Sequence, residues 1–240
     1  MPGTILTDCK IYLGGYNLSG FHNSMALEYG AEMLDDTVFG NAGTRSNKPG
    51  MKTFSFTGGG FWDSTMDAPL FARIGAVREV MSFAEDGDTV GDRAYTVRAV
   101  NGKYNPLSGE VGALLPFEMD AMSANSPLVR GVVLATGSKA TTGNGASVNV
   151  GLVGAGQRAY SALHVTAIAA TSIIVTVESD DATGFPSPTT RMTHTTFLGA
   201  GAVGADWQEL AGPIASDNWW RSKWTIVGGP FTIFHVFGIL

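Results

Sequence analysis

The chain has 240 residues, a net charge of −6, and 15% charged side chains where a globular protein carries roughly 25%. Its 44% hydrophobic content excludes a disordered chain, and its 32 glycines argue against a coiled coil or helical bundle. The net charge excludes a nucleic-acid binder built on a basic stripe.

In chain order, residues 10–33 have strand texture broken at Gly14-Gly15 and Ser19-Gly20; Ser24–Leu34 fits helix and strand periods equally. Asp35–Gly50 is polar, contains Phe39 as one isolated large apolar residue, and ends on the turn pair Pro49-Gly50. A loop that long in a compact domain is expected to be functional or disordered. Met51–Thr57 alternates as a strand and stops at Gly58-Gly59-Gly60. Ala68–Met81 is the strongest helix candidate, with Asp67 as its N-cap. Strands are expected at Ala94–Val100, Leu114–Ala121 and Val129–Leu134, the first two joined by the turn-rich Asn101–Gly112. Thr136–Ser147 has no large apolar side chain and reads as a linker or exposed hairpin. Thr-rich strands follow at Ile173–Glu178, Arg191–Phe197, Trp219–Val227 and Phe231–Phe237, the spacing of a second β-sandwich or jelly roll. No internal repeat links the halves.

Residues 1–130 contain 10 basic and 15 acidic side chains, against 5 and 6 in the remainder, so the acidic surplus lies early in the chain. Cys9 stands alone, which excludes an intramolecular disulfide and fits assembly in a reducing cytoplasm. The first residues lack a signal-peptide pattern, and no run approaches the roughly 18 apolar residues of a membrane span. A soluble, non-exported protein with no membrane partner is expected.

Few residues carry recognisable chemistry. Gly154-Ala-Gly156-Gln-Arg-Ala159 follows the strand-like Val148–Val153, and Glu178 stands where a ribose-binding acid would. A dinucleotide site needs a helix after those glycines, but Ser161–Ile168 alternates as a strand. A hairpin turn is therefore the preferred reading, with a nucleotide-binding enzyme as a remote alternative. His22, His164, His194 and His235 lack metal-ligand spacing. Glu178-Ser-Asp180-Asp181 reads as an acidic turn ahead of a calcium site. No nucleophile elbow or P-loop is present. No catalytic residue, metal or cofactor is expected. Alternation puts Trp220 and Trp224 on one face and Trp219 on the other, as in a sandwich core with one half-exposed ring; the competing reading is a glycan platform.

A family resemblance emerges from the first half. Leu34-Asp-Asp-Thr-Val-Phe-Gly, Thr44-Arg, Lys48-Pro-Gly-Met-Lys-Thr-Phe-Ser-Phe-Thr-Gly and Phe61-Trp-Asp resemble the tail-tube (major tail) proteins of long-tailed bacteriophages. Gly91-Asp-Arg-Ala-Tyr, Ser108-Gly-Glu-Val and Leu128-Val-Arg-Gly extend the likeness over residues 10–135. Parts of the second half, such as Val177-Glu-Ser-Asp-Asp, look like β domains of phage structural proteins.

The resemblance implies an all-β fold with one short helix. A β-sandwich or barrel-like tail-tube domain would span 1–135, with a long arm loop at 35–50, a linker at 136–146 and a second, jelly-roll-like β-sandwich at 147–240. It also implies a structural virion protein, not an enzyme, forming stacked rings of six copies in a phage tail assembled in the host cytoplasm. A trimer with both domains filling ring positions is disfavoured by the missing repeat. Its partners would be itself, other tail proteins, and DNA passing through the lumen without specific binding. Phe39, Arg45 and Lys48 are the candidate inter-subunit contacts, on an arm expected to be mobile in the free subunit. The lumen is expected to be net negative, with cations of the first half at subunit contacts. A capsid decoration or glycan-binding phage protein is the alternative of a different class.

Overall fold

The computed structural model describes residues 6–41, 43–169, 171–199 and 203–240. Its strands are β1 (Lys10–Leu13), β2 (Tyr16–Asn17), β3 (His22–Asp35), β4 (Asn47–Phe61), β5 (Glu79–Ala84), β6 (Arg93–Asn105), β7 (Pro116–Ser123) and β8 (Val129–Lys139). They continue as β9 (Gly143–Asn144), β10 (Val148–Asn149), β11 (Arg158–Ile168), β12 (Ser172–Asp180), β13 (Thr189–Thr193) and β14 (Phe197–Leu198). β15 (Gly204–Ala211), β16 (Trp219–Val227) and β17 (Phe231–Ile239) complete the set. One α-helix, α1 (Ser64–Ala72), lies between β4 and β5 among the described residues. The fold is all-β with one short helix, as composition and alternation predict.

The helix is displaced from its expected place. Asp63, not Asp67, caps it: the Asp63 carboxylate accepts from the Thr65 backbone N–H at 2.8 Å. It ends at Ala72, and Val80 and Met81, read as helical, are buried in β5. The apolar spacing of 80–84 serves a strand packed on both faces, which periodicity alone does not separate from a helix. Similarly β6 continues to Asn105, through part of the expected turn region, and Ser24–Leu34 resolves as strand.

Contacts divide the chain into two compact units. The first comprises residues 1–20, 79–97 and 129–240; the second comprises 21–78 and 98–128. The linker expected at 136–146 falls inside the first unit. There, β8 runs to Lys139 and pairs with β17 from Gly131↔Gly238 to Lys139↔Phe231, while β9 pairs with β16. Small residues at 136–147 reflect a ladder position and close packing: Gly145 approaches the Leu134 and Ser222 carbonyls.

In the first unit, one sheet has the order β15-β11-β17-β8-β6-β5-β1-β2, with β6 represented by its first residues. This sheet curls so that its far strands return to β11. His164 of β11 lies 2.6 Å from the Gly14 carbonyl and 2.8 Å from the Ser82 hydroxyl of β5. Tyr12, Val80, Ala94, Val133, Ala162 and Phe234 fill the curl, with the Tyr12 and Phe234 rings stacked at 4.1 Å. A second sheet, β10-β16-β12-β13 with β9 and β14, packs on the other side. Between them lie two apolar clusters, one around Leu163, Val175, Trp224 and Ile233, the other around Ala159, Val177, Trp220 and Phe237. Trp220 and Trp224 are thus core residues and Trp219 is half-buried, as alternation predicts.

The second unit is an antiparallel sheet, β3-β4-β7 and the later part of β6. Phe54, Phe56, Phe117, Met119 and Ala121 are buried on one face, and α1 buries Met66 and Leu70. Tyr104 Oη and Trp62 Nε1 both donate to the Asp67 carboxylate, at 3.0 and 3.1 Å, tying α1 to β6. Gly60 is required where β4 crosses Phe21, because a Cβ there would collide with the Phe21 carbonyl oxygen.

Candidate functional site

The expected arm is the most exposed feature of the second unit. The β4–β7 ladder ends at Ser55↔Met122, and the Ser123 hydroxyl accepts from the Phe54 N–H at 2.6 Å just beyond it. From there β4 pairs with β3 as a two-stranded ribbon, Tyr29↔Phe54 through Asp35↔Asn47, about 23 Å long at ~3.3 Å per residue. The arm is therefore shorter as a loop than expected: residues 47–50 are strand, and the turn spans 36–46, including a 3-10 turn at Phe39–Asn41. Ala42 lies outside the described residues.

The base of the turn is pinned. The Asp36 N–H donates to the Ser46 carbonyl at 3.0 Å, and the Ser46 N–H to the Thr37 hydroxyl at 3.0 Å. Lys48 Nζ pairs with Asp36 Oδ2 at 2.8 Å, and with Ser46 it lowers the Asp36 carboxyl below its ordinary value. Phe39 is fully exposed and Val38 63% exposed; with Thr37 and Gly43 they line an open apolar concavity of about 440 Å³. Arg45 is also exposed at the tip. The structure thus brings Phe39, Arg45 and Lys48 onto one hairpin end.

The arm has apolar company within its own unit. Met33 and Leu34 are exposed on the ribbon, Phe71 on the last turn of α1, Val77 after it, and Leu107 and Val111 in the loop before β7.

The first unit contains a constellation that the sequence reading missed. Three strands each contribute one polar residue between apolar neighbours on the same face, Ser161 on β11, Ser222 on β16 and His235 on β17, and His194 joins them from just after β13. Ser161 Oγ lies 2.8 Å from His194 Nε2 and 2.7 Å from His235 Nε2. His194 Nδ1 lies 2.8 Å from Asp206 Oδ2 on β15, and His235 Nδ1 lies 2.9 Å from Ser222 Oγ. Asp206 also accepts from Gln208 Nε2 and from the Thr195 N–H and hydroxyl. Burial works to raise its carboxyl pKa, but the bonds from His194, Gln208 and Thr195 win and hold it well below the usual range. The histidines lie 33 to 74 positions from Ser161, so no spacing signal could have found the group.

Ser161, His194 and Asp206 have the order of a nucleophile, base and orienting acid. They do not form an active site, because Ser161 and His235 have no solvent-accessible surface and His194 has 2%. On the other side of β11, burial lowers the His164 imidazole to about 4. The Gly14 carbonyl can only accept, so His164 carries its proton on Nδ1 and takes the Ser82 hydroxyl at Nε2.

The remaining sequence motifs have structural roles. Gly154 and Gly156 form the turn leading into β11, and Ala159 is a buried strand residue. A strand, not a helix, follows them, and the Gly154 N–H donates to Gln157 Oε1 at 2.8 Å, so the helix N-terminus on which a dinucleotide's pyrophosphate sits is missing here. Glu178 is buried and bonded by Arg221, through Nε and a terminal nitrogen, and by Lys223. Burial opposes its ionisation, yet these two cations lower its pKa below the ordinary value. Asp180 accepts from the Ala182 and Ser187 N–H groups, closing a turn.

No known family and no curated protein matches the sequence. Among solved structures, a chain of the virion of a native gene transfer agent particle is 16% identical, with a TM-score of 0.41 over 50% of this chain and 95% of that one. A chain of the sheath–tube complex of an extracellular contractile injection system is 13% identical, with a TM-score of 0.41 over 53% and 90%. The Dit protein of phage SPP1, from a hub adsorption apparatus, is 12% identical, with a TM-score of 0.38 over 95% and 98%. The solved structures that this chain resembles are thus components of virions and tail-like injection systems.

Proposed function

We propose that this chain is a structural subunit of a phage tail, forming rings that stack into a tail tube for the passage of DNA. It would act in the virion with copies of itself and with other tail proteins, six copies to a ring. The observation that carries this reading is the β3–β4 ribbon, with Val38 and Phe39 displayed at its tip. A two-stranded ribbon is marginal by itself in water, so one with exposed apolar side chains is suited to docking on a neighbour. The resemblance of the arm sequence to tail-tube proteins supports the same reading. Among the described residues β3 has a strand partner, β4, on one side, and its other side is a backbone surface with which a second copy could pair.

Negative-stain microscopy of the purified chain at high concentration tests the proposal. Stacked rings are the expected result. Single rings that never stack would point to a tail-end component, and a monomer at every concentration would overturn self-assembly.

A further inference from the structure

The buried polar row of the first unit has a proton inventory that its geometry fixes. Asp206 accepts from His194 Nδ1, so that nitrogen carries a proton. With both histidines neutral, one directional chain satisfies every group. Ser222 donates to His235 Nδ1, His235 Nε2 donates to Ser161, and Ser161 donates to His194 Nε2. One added proton is also accommodated. It enters at Nε2 of His194, whose Nδ1 already faces the Asp206 carboxylate, and every hydroxyl downstream reverses: His194 donates to Ser161, Ser161 to His235 Nε2, and His235 Nδ1 to Ser222.

A second proton has no place. Both Nε2 atoms would carry hydrogens across 3.2 Å, the Ser161 hydroxyl hydrogen would lose its acceptor, and the Asp206 charge would already be spent. We propose that this row is an acid-operated latch: it holds the two sheets of the unit together with at most one of His194 and His235 positively charged, and releases β12, β13 and β16 when both become so.

Among the described residues the surroundings supply no second counter-charge. From β15 the row meets Asp206 and Gln208, and from the segment after β13, Thr195. From β16 it meets Ser222, and from β11, Ser161; the next polar group on β11, His164, turns into the curl toward Ser82, Thr96 and Gly14. Around the row β12 offers Val175 and Val177, β8 offers Leu134 and Ala135, and the charged trio Glu178, Arg221 and Lys223 is bonded within itself. Burial, with His194 and His164 nearby, pushes the His235 imidazole well below its ordinary value. The closed unit therefore refuses a proton that the opened one accepts near pH 6.5. The closed state is fully favoured above that pH and loses ground as pH falls, up to about tenfold per pH unit.

Amide hydrogen exchange on the full chain, corrected for its intrinsic pH dependence, tests the latch. From about pH 7.5 to about pH 5, protection in β12, β13 and β16 is expected to drop about 30-fold, from the roughly 1.5 pH units below 6.5. The strands of the second unit should keep theirs. In His235→Gln, which cannot take the second proton, the drop should vanish. If that variant does not fold, ring-nitrogen shifts of the unmodified chain give the answer. At most one charged ring in the pair while β16 stays protected is the expected result. Unchanged protection at low pH, a drop that persists in His235→Gln, or two charged rings in an intact sheet would each overturn the latch.

Discussion

Glu178 shows how a residue singled out for ligand binding becomes a structural one. Its carboxylate is nearly fully buried, and Arg221 and Lys223 on the neighbouring β16 take both of its oxygens. Arg221 also lies over the Phe185 ring at 4.2 Å, so its fork is fixed by packing as well as by charge. Removing one partner of a buried pair leaves a charge without compensation, which costs ~3–5 kcal/mol when no other cation remains. Lys223 does remain here. Arg221→Met is therefore expected to cost about 2 kcal/mol, read as a shift of the urea unfolding midpoint of the tryptophan fluorescence. A change below about 0.5 kcal/mol, the range of ordinary surface substitutions, would contradict this account. The acidic cluster was visible in the sequence. Its partners, more than 40 positions away, were not.

The β3–β4 hairpin shows how far an element can be read without coordinates. The polar composition of 35–50, its isolated Phe39 and its closing turn pair mark an exposed, functional segment, and Phe39 is indeed fully exposed. The division between loop and ribbon was hidden, because residues 47–49 are polar or turn-forming yet pair with 33–35. Two-sided exposure removes the alternation that identifies a strand. The same ambiguity ran the other way at Val80 and Met81, where a strand buried on both faces passed for a helix. Because Val38 and Phe39 touch little in their own chain, Val38→Ser with Phe39→Ser should leave the monomer's unfolding midpoint within about 0.5 kcal/mol. Sedimentation should show the double variant losing assembly. If it assembles normally, the tip is not the contact.

For the whole molecule, charge and connectivity give two further expectations. Most of the acidic surplus of the first 130 residues lies outside the arm-bearing unit. That unit has nine acidic and seven basic residues, while segments 1–20 and 79–97, in the other unit, have six and two. Both units remain net negative, so assembled particles should show no salt-sensitive affinity for duplex DNA in a filter-binding assay. Tight binding that weakens with salt would contradict passage without specific contact. The second expectation concerns residues 147–240. Their β17 and β11 layer is continued by β8, which supplies Val133, Leu134 and Ala135 to three clusters of the core. A 129–240 fragment is therefore expected to melt more cooperatively by circular dichroism than 147–240. Equal cooperativity would favour the boundary that composition suggests.

The sequence by itself determined the β class, the inward tryptophans, the exposed arm and the absence of a helix after the Gly154 turn, since each follows from local alternation, glycine content or polarity. Tertiary structure alone decided the partition into units and the buried row. Both depend on pairings between distant strands, such as β8 with β17 and His194 with Ser161, whose register is set by how whole sheets stack.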